Sequence, residues 1–434
     1  MLSGFWLFCA LIIFLLLRFP VFIALILSGS LGYIWEVGLN PWWHWASFSP
    51  TNLVSQYHYA AIPLFLLMGQ IASAGNITKD LFVFTDNIAR KTRGGVAILT
   101  ILSCGVFGSL CGSSLATAAT MTPIAYKEMK SRNYSKELIL GTLAAGGTLG
   151  VLVPPSIVLV IYSIIAEESI ALLSIAAIVP AILAFLGYVC AIKYFIYKYP
   201  NEVPELLPKR QKTEYGLKAV FSLCSILLLF FVMLAGLYKG IFMQAESAAI
   251  GVAGVFAIVA ASGNLSKLNW PKIFTESAKT TASIMAIFIG AEIFSVALTA
   301  FDFPKELAEY VMTYREYPLG IITIMIAALL VLGCFMDGIA IMLLIVPLFL
   351  PIVKELDLWI APENIGIWFG IIILMVVEIG LITPPFGLNL FVIKSIEPEL
   401  EQASNFKSVK YFVAAELVRM SLLVLIPGIM WCVA

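Results

Sequence analysis

Two stretches of the chain, GVLVPP from Gly150 to Pro155 and GLITPP from Gly380 to Pro385, repeat one Gly-x-x-x-Pro-Pro pattern inside long apolar runs. Proline has no N–H to donate four residues back. Pro154 and Pro155 therefore release the carbonyls of Gly150 and Val151, and Pro384 and Pro385 release those of Gly380 and Leu381. At membrane depth a freed carbonyl is tolerated only where protein, a cavity or an ion satisfies it. Two such breaks at matching places point to a transporter built from repeats, the alternative being a pair of structural kinks. Two further elements carry polar groups into apolar surroundings. GSLCGSS, from Gly108 to Ser114, offers hydroxyls and turn carbonyls, and CFMDG, from Cys334 to Gly338, offers the carboxylate Asp337. A carboxylate within the membrane is costly, so function is its default explanation, with a structural bond to a backbone amide as the alternative.

The composition fixes where this chemistry happens. Of 434 residues 61% are hydrophobic and 12% charged, and the mean hydropathy is +1.00. One soluble core cannot hide that much apolar surface, so the expected class is an all-α polytopic membrane protein. The net charge is zero, and no basic patch interleaved with aromatics suggests nucleic acid. The cysteines (Cys9, Cys104, Cys111, Cys190, Cys224, Cys334 and Cys432) lack C-x-x-C spacing and read as small core residues. The two histidines, His44 and His58, share an aromatic-rich loop without metal-ligand spacing, so no metal centre of that kind and no organic cofactor is expected. No paired aspartates, histidine cluster or Ser-His set stands at working spacing, which argues against an enzyme.

Basic residues orient the elements that must hold these groups. With the N-terminus outside, all 26 lysines and arginines fall on the cytoplasmic side except Lys239, Lys305, Arg315 and Lys354. That count places Arg419 in a cytoplasmic segment. The apolar run at about 94–126 has Arg90, Lys91 and Arg93 before it and Lys127, Lys130 and Arg132 after it. Both ends face the same side, which predicts a re-entrant hairpin with Gly108–Ser114 at its tip. The corresponding segment at about 318–352 enters from the opposite face. Residues 1–200 and 217–434 then form two inverted-topology repeats around a cytoplasmic connector, 201–216. Each contains a hairpin and a Pro-Pro-broken span, at about 137–166 and 365–393. The stretches Lys79 to Arg90 and Pro304 to Tyr314 read as interfacial arms.

The motifs that carry these features resemble the large membrane subunit of tripartite ATP-independent periplasmic (TRAP) transporters. They are GSLCGSSLATAATMTPIAYKEM (Gly108 to Met129), GTLGVLVPPSIVLVIY (Gly147 to Tyr162), LGCFMDGIAIMLLIVPLFLPI (Leu332 to Ile352) and EIGLITPPFGLNLF (Glu378 to Phe391). A Thr-Pro-x-Glu-Ala-like element of the family reads MQAESAA here from Met243, keeping Glu246 and losing the Thr-Pro. The resemblance implies an elevator-type, sodium-driven importer of a small organic acid delivered by a soluble periplasmic binding protein. It also implies a small membrane subunit of about four helices, expected as a separate polypeptide, and a location in the bacterial inner membrane.

For the first cation site Gly112, Ser113, Ser114, Gly150 and Val151 supply neutral oxygens of the kind sodium takes, with small-residue packing as the alternative. By the repeat, Asp337, Gly338, Gly380 and Thr383 form the second. Ser109, Gly387, Asn389 and Glu378 are candidates for substrate contact or support. Glu246, Glu292 and Glu378 lack an evident basic partner and could relay protons were coupling to H⁺ instead. With no arginine identified at hairpin depth, the acid group is expected to meet backbone amides, hydroxyls, helix N-termini and bound cations. The rival reading is a self-sufficient cation-coupled organic-anion symporter of a related elevator fold.

Overall fold

The computed structural model of the protein describes residues 2–75, 92–204, 216–333, 336, 338–383 and 387–432. Among these residues there are α-helices and short 3-10 turns but no strand. In the first half α1 spans Leu2–Leu16, α2 Val21–Glu36, α3 Leu39–Val54, α4 Ala61–Ala74, α5 Gly95–Cys111, α6 Ser114–Ser131, α7 Lys136–Leu152, α8 Ile157–Ala166 and α9 Ile170–Lys198. In the second α10 spans Gly216–Tyr238, α11 Gln244–Ala261, α12 Trp270–Ala300, α13 Phe303–Met312, α14 Pro318–Gly333, α15 Gly338–Glu355, α16 Pro362–Ile382, α17 Leu388–Ile396 and α18 Asn405–Leu425. Five of these helices, α9, α11, α12, α15 and α16, are long and apolar enough to cross a membrane, and α7 with α8 forms a sixth candidate bent by 42°. The chain is a multi-pass membrane protein.

Local chemistry accounts for the boundaries. The prolines after Leu152 end α7, and the chain resumes as α8 at Ile157. Between α5 and α6 only Gly112 and Ser113 intervene. Gly112 adopts the left-handed conformation (φ 59°) that glycine accepts freely, and Ser113 Oγ accepts from the Ala116 amide to cap α6. Ser135, Ser169 and Ser404 cap α7, α9 and α18 in the same way. The segment expected as an aromatic-rich loop is instead the helix α3. Its Trp45 stacks on Tyr33 of α2 and so gains an apolar surface to lie on. The second predicted arm is α13, while Lys79 to Arg90 lies outside the described residues, as does most of the connector.

Two helices form the centre. Every residue from Leu138 to Leu152 in α7 is buried, and so is every residue from Ile365 to Ile382 in α16. A helix that is apolar all round belongs inside. Around them α5 and α6 pack on α7, and α14 and α15 pack on α16. The halves also cross reciprocally. The second hairpin arm α6 packs on α17, and its counterpart α15 packs on α8. Outside this core α2 lies along α12 and α4 along α11.

Charged side chains tie the ends of these helices together. Lys130 Nζ donates to Glu399 at 2.6 Å, Lys136 to Gln402 at 2.9 Å, and Lys407 to Glu202 at 2.6 Å. Arg93 donates to the carbonyls of Pro200 and Val203. Hydrogen bonds from Lys130 and Tyr126 hold the Glu399 carboxyl below the usual carboxylate range.

Candidate functional site

The first-half group gathers around a contact between two glycines. A Cβ on Gly108 would lie 2.4 Å from Gly150 Cα, and one on Gly150 would lie 2.5 Å from Thr117 Oγ1. The hairpin and the broken helix thus meet backbone to backbone. Thr117 Oγ1 donates to the Ser113 carbonyl at 2.8 Å. Ser114 Oγ donates to Asn389 Oδ1 at 3.0 Å and accepts from Asn389 Nδ2 at 2.7 Å, while Nδ2 also donates to the Ala144 carbonyl at 3.1 Å. Asn389 belongs to the second half, on α17, yet its side chain completes the first hairpin. Ser156, one residue past the Pro-Pro pair and beside Gly112, has a buried hydroxyl with no hydrogen-bond partner.

The second-half group repeats the glycine contact: a Cβ on Gly380 would lie 3.0 Å from the Gly333 carbonyl oxygen. Gly338 opens α15 against Val377 of α16. Thr383 Oγ1 donates back to the Ile379 carbonyl at 2.6 Å, and Gly387 opens α17 with φ 50°. Asp337, Pro384 and Pro385 lie outside the described residues.

Between the hairpin tips is a cavity of about 200 Å³. Gly112, Ser113, Ser114 and Val151 line it from one half and Gly338, Val377 and Leu381 from the other, with Thr280 and Ser283 of α12 closing the outer wall. No charged side chain is among the described lining residues. The N-termini of α6, α8 and α15 all border it, and each presents the positive end of its helix dipole. Chemically the cavity offers hydroxyls, carbonyls and amides, which suits a desolvated cation together with an anion. Ser109 is elsewhere: its hydroxyl donates to the Val106 carbonyl at 2.7 Å and faces an apolar groove with Leu102 and Phe185.

Glu378 points away from this cavity, toward α18. Arg419 Nη2 donates to Glu378 at 2.5 Å and also to Glu416, and Nη1 donates to the Pro180 carbonyl at 3.0 Å. This corrects the expectation that Glu378 has no basic partner. Arg419 stands in the fifteenth position of α18 and is 4% exposed. Glu246 accepts from the Met243 amide and so holds the first turn of α11. Glu292 accepts from Ser49 Oγ at 2.6 Å.

Against this geometry, residues 8–431 match the model of the tripartite ATP-independent periplasmic transporter, DctM component. The chain belongs to that family. A C4-dicarboxylate TRAP transporter large permease protein of Pseudomonas aeruginosa is 35% identical over 341 residues, covering 78% of each chain. One of the same description from Vibrio cholerae is 32% identical over 405 residues, 87% of this chain and 85% of its own. An isethionate TRAP transporter permease protein of Oleidesulfovibrio alaskensis, named DctMQ, is 30% identical over 91% of this chain and 60% of its own. These relatives are transporter permeases, not enzymes.

Several residues of this DctM family chain escaped the sequence reading. Thr280 and Ser283 stand in KTTAS, a polar run inside an otherwise apolar helix, and that run was the available signal. Glu416 and Arg419, three residues apart in α18, were another. Ser156 had no signal of its own beyond standing next to the proline pair.

Proposed function

We propose that this chain is the large permease subunit of a sodium-coupled importer of a small organic acid, working by an elevator mechanism in the inner membrane with its N-terminus periplasmic. The observation that carries this is the meeting of three helix N-termini with Ser113, Ser114, Thr280 and Ser283 at one cavity that has no charged side chain among its described lining residues. An acid group can sit on the amide ends of α6, α8 and α15. Sodium can take the neutral oxygens of Gly112, Ser113, Ser114, Gly150 and Val151 at one site, and the Asp337 carboxylate with oxygens of Gly338, Gly380 and Thr383 at another.

The reciprocal packing of α6 on α17 and α15 on α8 supports reading 1–200 and 217–434 as inverted repeats with re-entrant hairpins. We read α5–α9 and α14–α18 as the moving body and α2, α4, α11 and α12 as the scaffold. Pro154 and Pro155 break the first central span so that the carbonyls of Gly150 and Val151 can face an ion; Pro384 and Pro385 follow the end of the second, where the Gly380 carbonyl, expected to be freed, accepts from the Thr383 amide at 3.4 Å. The partners are a small membrane subunit, for which the name DctMQ of the isethionate relative and its greater length give support, and a periplasmic binding protein. C4-dicarboxylates are the first acids to try, because the relatives at 35% and 32% identity are named for them.

The test is uptake into proteoliposomes holding both membrane subunits, with binding protein outside. An inward sodium gradient should drive accumulation, and Asp337→Ala or Ser113→Ala should abolish the sodium dependence. Unchanged uptake in both variants would remove the cation assignment, and uptake without any binding protein would favour the self-sufficient symporter.

A further inference from the structure

Behind the second broken helix, three ionisable groups are sealed from solvent. Glu378 is 0% exposed, Glu416 1% and Arg419 4%. One guanidinium serves two carboxylates, which leaves one negative charge in excess if both are ionised. Three atoms of the cluster, Glu378 Oε1, Glu416 Oε1 and Arg419 Nε, are buried without a hydrogen-bond partner. An uncompensated charge in an apolar interior is neutralised by proton uptake rather than kept. We propose that Glu378, Glu416 and Arg419 form a proton-binding site in which the two carboxylates hold one proton between them over the single guanidinium.

The balance is simple. A hydronium ion gives its proton to one carboxylate oxygen and leaves as water, the site becomes neutral, and the new O–H adds a donor for the carboxylate oxygens that the guanidinium leaves unpaired. A metal cation is disfavoured because the guanidinium already occupies the inner edge of both carboxylates and would repel a second positive charge. Tyr188 of α9 is the further titratable side chain that faces the cluster, and its hydroxyl is engaged with Thr148 of α7 at 2.8 Å. Packing alone does not call for charge here. Thr148 stands two residues before Gly150, as Glu378 stands two before Gly380, and the first half fills that place with the neutral Thr148–Tyr188 pair.

This inference is independent of the sodium and substrate reading, and its test measures no transport. The full chain in lipid nanodiscs should show, at neutral pH, an infrared carbonyl band of a protonated carboxyl that shifts in D₂O. Glu378→Gln and Glu416→Gln should each lose it, because one carboxylate facing Arg419 stays ionised. Both variants should fold with thermal midpoints within about 4 °C of wild type, since each leaves a balanced pair. Absence of the band in wild type, its persistence in both variants, or unfolding of either one would overturn the proposal. So would a sodium-specific rise in the wild-type midpoint that both glutamine variants lose, because the excess charge would then be held by a metal cation.

Discussion

Gly108 meets Gly150 in the first half much as Gly333 meets Gly380 in the second, yet what stands two residues before each inner glycine differs completely. Thr148 shares a hydrogen bond with Tyr188, whereas Glu378 shares one with Arg419. The shared feature is close backbone contact, which forbids a side chain at Gly108 and Gly150 and leaves little room for one at Gly380, though not at Gly333, and it sets how close each hairpin comes to the end of its central helix. The divergent feature is support behind that contact, where two hydroxyls and a charged triad fill equivalent places. A buried ion pair is weak evidence of stability in itself. Its presence on one side only therefore reads as a difference in what the halves bind.

The largest test of that difference is removal of the triad's cation. Arg419→Met strands two buried carboxylates and should lower unfolding stability by about 3–5 kcal/mol, while Tyr188→Phe in the first half should cost about 1 kcal/mol. Thermal or denaturant unfolding in detergent compares them, and equal losses would erase the contrast. The glycine contacts come next. Gly108→Ala drives a Cβ to 2.4 Å from backbone, so it should cost about 1–3 kcal/mol by overpacking. Gly333→Ala meets its nearest atom at 3.5 Å and should stay within about 0.5 kcal/mol of wild type in the same assay. Third, Asn389→Leu removes both partners of the Ser114 hydroxyl and a second donor to the Ala144 carbonyl and should cost about 1–2 kcal/mol. Thr383→Val removes only a bond within its own helix end and should cost less.

The smallest effect lies on the surface. Glu399 is held below the ordinary carboxylate range by Lys130 and Tyr126, so its contact stabilises at pH above that range and fades as pH falls through the lowered value. The midpoint gap between wild type and Glu399→Gln should be small, should close on acidification, and should shrink in high salt.

Local signals in the chain carried most of this architecture. The break between α7 and α8 was legible because proline forbids a donor wherever it stands, and the turn at Gly112 because glycine and serine mark tight turns. The triad was not legible. Glu378 and Arg419 are 41 residues apart, and an isolated arginine in an apolar run reads equally well as the edge of a loop. Asn389 posed the same difficulty at a separation of 275 residues from Ser114. Its position four residues past Pro385 marked it as a candidate, but which hairpin it serves depends on how the halves cross. Thr280 and Ser283 depend likewise on which face α12 turns inward.

The most direct test of the central claim is a sodium titration of the thermal midpoint of the purified chain, against potassium at equal ionic strength. Ligand at a hundredfold its dissociation constant stabilises by about 2.7 kcal/mol. Sodium should therefore raise the wild-type midpoint above its potassium value, and Ser113→Ala and Asp337→Asn should each reduce that rise. Identical curves in the two salts, or variants that respond as wild type does, would contradict cation binding at the hairpin tips.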